Sequence, residues 1–410
     1  MKKTLLKILI VIILIISYIY TCSIVAIPNN IVVFEGEKLS LKIPKGITLI
    51  SKNDETMLTS SNMGKEKIDK VGNENLNLNL FGGIKLKNVN VDIIPKTKVI
   101  PLGTAIGMKL YTKGVLVVGM SQIKNENNQK TKPYENSGIE QGDMILEINN
   151  NEVKNTVELI DEVNKSEGKE IKIKYLQNNE TKETSILPVK SDNEYKIGLW
   201  VRDAAAGVGT LSFYEPSTNS FMALGHGIVD IDTEKIIDIA NGELITANIL
   251  SIKKGVKGTP GEVRGTIDLG NKIGDIDKNT KLGVYGKVTD KNYLGIENNK
   301  EMEVATRKEI KEGKAKIICQ LDNEGKKMYD IEIEKIYSMN NENNKSMLIK
   351  ITDEELIKKT GGIIQGMSGS PIIQDGKFVG AITNVLVNDP THGYAIFADM
   401  MIKQLRSVNN

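Results

Sequence analysis

Gly366-Met367-Ser368-Gly369-Ser370-Pro371 runs directly into Ile372-Ile373-Gln374-Asp375-Gly376-Lys377-Phe378-Val379. Glycine close on both sides of Ser368 removes the Cβ clash that forbids a strained turn, and it lets another group approach the main chain closely. A serine held this way suits nucleophilic acyl transfer, with the N–H groups of Gly366 and Ser368 as the oxyanion hole. Pro371 opens the next segment, and Asp375-Gly376 between two apolar runs predicts a two-residue hairpin turn. Ser368 therefore belongs to a β framework. The pocket for a substrate side chain is expected on the strand after that hairpin, near Thr383 to Leu386.

The α/β-hydrolase elbow requires Gly-x-Ser-x-Gly between a strand and a helix. Position 370 is serine and a hairpin follows, so that fold is excluded. The turn resembles instead the Gly-x-Ser-Gly-[Gly/Ser]-Pro turn of chymotrypsin-like peptidases. Such a nucleophile needs a base, and the chain has only two histidines, His226 and His392. His226 stands between two glycines at the end of the apolar run Phe221-Met222-Ala223-Leu224. That setting suits a ring that reaches a partner across a cleft, and His226 is assigned as general base. His392 lies in a turn-rich stretch and reads as structural or solvent-facing. The acid is open at this stage. Asp353 reads as a helix cap in Thr352-Asp353-Glu354-Glu355, and Asp203, Asp230 and Asp232 lie nearer to His226.

At 410 residues the chain is too long for one ordinary core. A net charge of +2, with Lys and Glu intermixed, gives no nucleic-acid footprint. Aromatics make up only 5%, while short Ile- and Val-rich runs abound, which favours β structure. With two histidines a His-rich metal site is not expected, and acyl transfer requires no metal or other cofactor. Cys22 lies in an N-terminal apolar segment and Cys319 in a strand-like run, so no disulfide framework is expected. Lys2, Lys3 and Lys7 precede an uncharged stretch from Ile8 to Ile27, the length at which an apolar helix crosses a bilayer, roughly 20 residues. Residues 1–30 are read as a membrane anchor or signal segment, with the remainder outside the cytoplasm.

Period-two alternation over Val33–Ile43, Ile47–Ile50, Leu76–Leu80 and Ile84–Val89 predicts a small β region over 31–97, with a polar loop at 51–75. Beyond it, Gly138-Ile139, Gly142-Asp143 and Ile148-Asn149, followed by the helical pattern of Val157, Leu159, Ile160 and Val163, resemble a PDZ domain over 98–192. PDZ domains add an extended peptide as a strand and hold its carboxylate in a Φ-Gly-Φ loop. The resemblance assigns that loop to Ile106, Gly107 and Met108.

Three stretches taken together, Ala223–Ile228, Lys257–Glu262 and Thr352–Pro371, are similar to the stage IV sporulation protein B family of PDZ-bearing serine peptidases. The implied fold is mostly β: a PDZ domain followed by a chymotrypsin-like double β-barrel serine peptidase over 193–410, behind an N-terminal transmembrane or signal segment. The family's catalytic set falls on His226, Asp353 and Ser368. The resemblance further implies a peptidase in the space between forespore and mother-cell membranes. It would cleave itself and a membrane regulatory protein, thereby activating a sigma factor. A membrane-tethered PDZ adaptor without turnover, or a structural spore-envelope protein, are the alternatives.

Overall fold

The computed structural model describes residues 2–39, 41, 43–51, 57–59, 71–337 and 344–409. Helix α1 (Lys2–Val25) carries the apolar N-terminal run and exposes almost all of it. It is long and apolar enough to cross a membrane, as an anchor or signal peptide would be. The helix meets the body near its end, where the Tyr20 hydroxyl donates to the Lys45 carbonyl at 2.9 Å.

The small β region is a five-stranded sheet. Its strands are β1 (Asn30–Phe34), β2 (Ile47–Ser51), β3 (Met57–Thr59), β4 (Gly72–Leu80) and β5 (Ile84–Ile94), in the order β1-β5-β4-β2-β3. Alternation sends Leu76, Leu78, Val89 and Val91 to one buried face against Leu49 and Ile31. Two expectations change here. The strand expected from Val33 stops at Phe34, and the expected loop contains β3 and the start of β4; residues 52–56 and 60–70 of that loop lie outside the described residues.

Strand β6 (Lys98–Met120) follows, then the short pair β7 (Ile123–Lys124) and β8 (Lys130–Thr131). The PDZ elements are β9 (Met144–Ile148), β10 (Asn151–Glu152), helix α2 (Thr156–Lys165), β11 (Ile171–Gln177) and β12 (Glu180–Ile186). A small hairpin, β13 (Val189–Ser191) and β14 (Glu194–Lys196), leads into β15 (Leu199–Glu215). Leu159 and Val163 on α2 pack on Val115, Val117, Ile145 and Ile173 to form the PDZ core. Each such burial is worth about 1.5–3 kcal/mol.

The first barrel contains β6, β15, β16 (Ser220–Ala223), β19 (Gly283–Val288), β18 (Glu262–Thr280) and β17 (Ile239–Lys253) in spatial order. Pairing of β17 back onto β6 closes it. After β20 (Met302–Glu303), the second barrel closes through β21 (Gly313–Gln320), β22 (Lys326–Ile336), β23 (Met347–Ile351), β26 (Asp389–Phe397), β25 (Lys377–Leu386) and β24 (Pro371–Gln374). Helix α3 (Glu354–Thr360) sits between β23 and β24, and α4 (Ala398–Asn409) ends the chain. A third apolar cluster seals the seam between the barrels, with the Phe213 and Phe378 ring centroids 5.3 Å apart.

The PDZ unit is inserted in the first barrel rather than placed before it. The first half of β6 pairs with both β15 and β17 in the barrel; its second half pairs with β9 and β15 in the PDZ sheet. The chain passes between the two sheets at Gly114, where a Cβ would lie 2.3 Å from the Ile145 carbonyl oxygen. The peptidase unit thus takes in the opening of β6 in addition to the expected 193–410. The expected carboxylate loop is corrected by the same observation. Ile106, Gly107 and Met108 form no loop: Gly107 pairs with Val208 on one side and Ile245 on the other, and Ile106 and Met108 are buried in the barrel. Strand ladders flank the segment on both edges, which leaves no open edge for a bound peptide.

Candidate active site

The nucleophile turn is held from both barrels. Inside the turn, Met367 N–H donates to the Ile364 carbonyl at 3.1 Å and Ser370 N–H to the Met367 carbonyl at 3.0 Å, while Met367 is buried in the second-barrel core. Gly369 N–H donates to Ile382 on β25 at 2.7 Å. From the first barrel, Thr210 Oγ1 donates to the Gly366 carbonyl at 2.6 Å. Gly366 and Gly369 have φ of 99° and 96°, and a Cβ on Gly369 would lie 2.4 Å from the Thr210 carbonyl oxygen. Both the left-handed backbone and the closeness of the facing strand therefore require glycine at 369. The N–H groups of Gly366 and Ser368 have no hydrogen-bond partner among the described residues.

His226 leaves the end of β16 through Leu224 and Gly225, both at positive φ. Gly225 abuts Thr383 and Ile382 of β25, and Leu224 abuts Gly369, so the histidine and the nucleophile turn flank the same contact between barrels. His226 and Ser368 line one cleft of about 850 Å³, with Gly366 and with Thr383, Asn384 and Val385 of β25. The side-chain hydroxyl and the ring are each engaged elsewhere: Ser368 Oγ donates to the Thr383 carbonyl at 2.7 Å, and His226 Nδ1 lies 2.9 Å from the Gly227 carbonyl oxygen. A carbonyl accepts only, so Nδ1 carries a proton, and in the neutral ring Nε2 presents the lone pair. That is the tautomer a general base needs.

Asp353 is not brought to this cleft. Its Oδ1 accepts from Leu356 N–H at 2.9 Å as the cap of α3, and its Oδ2 accepts from Asp330 N–H at 3.3 Å. It does not line the cavity with His226 and Ser368. The other aspartates are also engaged. Asp230 is buried and accepts from Asp232 and Thr233 N–H, both at 3.0 Å, and pairs with Arg202; Asp232 pairs with Arg202 as well. Burial pushes the Asp230 carboxyl up, but the N–H groups of Thr233 and Asp232 and the Arg202 charge outweigh it and hold it below the usual range. Asp203 accepts from Thr156 N–H at 2.8 Å. His392 is structural, with Nδ1 2.7 Å from Asp389 and Nε2 3.2 Å from Glu334. Among the described residues no cluster of three or more His, Cys, Asp or Glu could hold a metal.

Two parts of the site escape a reading by motif. Thr210 sits mid-strand with nothing around it to mark its hydroxyl. The hairpin joining β17 to β18 reaches across from the first barrel: Gln365 N–H donates to Gly261 at 2.9 Å and Val263 N–H to Gln365 at 2.8 Å, immediately before the turn. The Lys257–Glu262 stretch marked this hairpin in the sequence, but not its contact with the nucleophile segment.

Residues 193–402 match the family described as SpoIVB peptidase S55, and residues 106–187 match the PDZ domain family. Among solved structures, the chain is similar to the PDZ domain of an SdrC-like protein from Listeria monocytogenes, at 24% identity over 22% of this chain and 87% of that one, TM-score 0.18. It is similar to the HtrA-type protease AlgW with decapeptide at 12% identity, over 54% of this chain and 55% of that one, TM-score 0.31. The inactive form of the Rv3671c protease of M. tuberculosis matches at 13% identity, over 50% of this chain and 85% of that one, TM-score 0.27. With the family match covering just over half of its length, the chain belongs to the SpoIVB peptidase S55 family and is a PDZ-bearing serine endopeptidase.

Proposed function

We propose that this endopeptidase acts outside the cytoplasm during endospore formation, in the space between forespore and mother-cell membranes. It cleaves itself and a membrane regulatory protein, and so switches on a mother-cell sigma factor. The family match supports the sporulation setting, and the apolar α1 supports an origin at a membrane. One observation carries the chemistry: Ser368, His226 and Gly366 line a common cleft between two barrels.

Ser368 acts as nucleophile once its hydroxyl turns from the Thr383 carbonyl towards His226 Nε2. His226 takes the hydroxyl proton as Oγ attacks the scissile carbonyl, and then gives it to the leaving amine. The free N–H groups of Gly366 and Ser368 receive the oxyanion. Water, deprotonated by His226, resolves the acyl-enzyme and frees Ser368. In the resting arrangement the Gly227 carbonyl orients the imidazole. Asp353 acts at one remove, as a positioning residue: it caps the helix whose end leads through Gly361 into the nucleophile turn.

The test is Ser368→Ala in an endospore-forming host. Self-processing and cleavage of the membrane regulator should stop, because losing such a nucleophile costs about 10⁶-fold in kcat. Continued N-terminal processing by the purified variant would overturn the peptidase role of Ser368. Loss of processing with normal sigma-factor activation would overturn the signalling role alone.

A further inference from the structure

The end of α1 is built into the small sheet. Ile27, with Ile24 beside it, packs against the sheet's core with Ile31, Leu49 and Val91, and Lys87 Nζ donates to the Ile27 carbonyl. Tyr20 reaches the Lys45 carbonyl at 2.9 Å, and Phe81 N–H donates to the adjoining Gly46 carbonyl at 2.8 Å. The Phe81 ring lies over Gly46, where a Cβ would come 2.8 Å from it. Phe81-Gly82-Gly83 is the turn between β4 and β5, so the tip of that hairpin stands beside Tyr20. Phe81 is 82% exposed, Ile84 64% and Leu86 38%. Phe81 also has a φ of 49°, a left-handed conformation that bulky residues rarely adopt. A turn that faces only water would carry glycine, asparagine or aspartate there.

We propose that this hairpin tip enters the headgroup layer of the bilayer that α1 crosses, with Phe81, Ile84 and Leu86 at its apolar margin and Lys45 and Lys85 on anionic headgroups. Depth is the first argument. The apolar span Thr4–Val25 makes about 33 Å of helix, close to the ~30 Å hydrocarbon core. Tyr20 stands five residues before the end of that span, about 7 Å inside it, and a side chain lodged at the apolar margin sits about 5–10 Å deep. Whatever touches Tyr20 is therefore level with the headgroups. Charge is the second. Segments 41–51 and 75–91, which flank the tip, contain no acidic residue, and Lys45 and Lys85 are exposed there. Side chains alternate along β5, so Ile84 and Leu86 share one side and Lys85 takes the other. The contact would also set the posture of the peptidase, because Phe34 and Ile94 of this sheet pack with Met401 and Leu405 of α4 in the seam between the barrels.

The contact requires α1 in the bilayer, and the test reads the two separately. The full-length Ser368→Ala chain also carries Trp200→Phe, which removes its only tryptophan, and Phe81→Trp, which places an indole at the tip. It is reconstituted into vesicles of phosphatidylcholine and phosphatidylglycerol. Flotation with the vesicles reports α1. The indole reports the tip: its emission should be blue-shifted, and lipids brominated near the headgroup end of the acyl chain should remove about half of it. Ile84→Asn with Leu86→Asn, at exposed positions outside the core, should return the emission to that of an indole in water while the chain still floats. A floating chain whose indole emits as in water and is quenched by aqueous iodide overturns the tip contact alone; a chain that does not float overturns the membrane reading of α1 with it. Blue-shifted emission that brominated lipid leaves unquenched would put protein, such as a second copy of the chain, over the tip and overturns the proposal too, as does indifference to the paired asparagine substitutions.

Discussion

Thr210→Val removes one hydroxyl and keeps the shape of a buried side chain. Thr210 Oγ1 donates to the Gly366 carbonyl at 2.6 Å, and the strand carrying it also takes Leu224 N–H at 3.2 Å, so this residue joins the nucleophile turn to the histidine strand. Leaving a buried carbonyl without its donor costs about 1–3 kcal/mol. Gly366 is half-buried and water reaches part of the cost, which places the loss near 1 kcal/mol. That energy holds the Gly366 peptide in one orientation, and about 1 kcal/mol corresponds to a roughly fivefold smaller population of the competent turn. A complete loss of the donor would cost about 10²- to 10³-fold, which sets the upper bound. The assay is kcat and KM on a fluorogenic peptide beside thermal unfolding. The expectation is a kcat lowered about fivefold or more, an unchanged KM, and a Tm lower by about 2–4 °C. An unchanged kcat with a lowered Tm would refute the reasoning, because Thr210 would then support the fold without supporting the oxyanion hole.

Asp353→Ala removes a helix cap and should cost about 0.5–2 kcal/mol of stability while leaving the pH of half-maximal kcat/KM in place. A shifted pH profile would make Asp353 an electrostatic partner of His226. Asp230→Asn should destabilise the fold, and the sign of the carboxyl shift fixes where: the folded value is lowered, so the stabilisation is complete above the unfolded carboxylate range, about pH 4, and fades as pH falls through the folded value. Urea unfolding of wild type and variant should converge at low pH; a gap that persists there contradicts the assignment. Cys319 is buried, and burial pushes its thiol up to about 12, so at pH 8 a maleimide should label only Cys22 in the folded chain and both cysteines in urea. Labelling of Cys319 without denaturant would mean that the second barrel opens.

The nucleophile turn was legible because its physics is local: positive φ at Gly366 and Gly369 demands glycine, and Asp375-Gly376 makes its own hairpin turn. The β character was legible in the short Ile- and Val-rich runs, and the two-barrel architecture through the family resemblance. The order of its parts was not. Ile106-Gly107-Met108 has the local pattern of a Φ-Gly-Φ loop, and what rules that loop out is pairing with partners distant in sequence, one ladder on each edge. Asp353 is a related case. Its local signature is a helix cap, which the structure contains, whereas its place relative to His226 depends on how α3 packs, and no spacing encodes that.

The most direct measurement is the mass shift of the intact chain after reaction with a fluorophosphonate, compared among wild type, Ser368→Ala and His226→Ala. If the hydroxyl and the imidazole work across one cleft, wild type gains a single adduct on Ser368, and both variants gain none over the same time. An adduct on Ser368 at an undiminished rate in His226→Ala would show that the two groups do not act together.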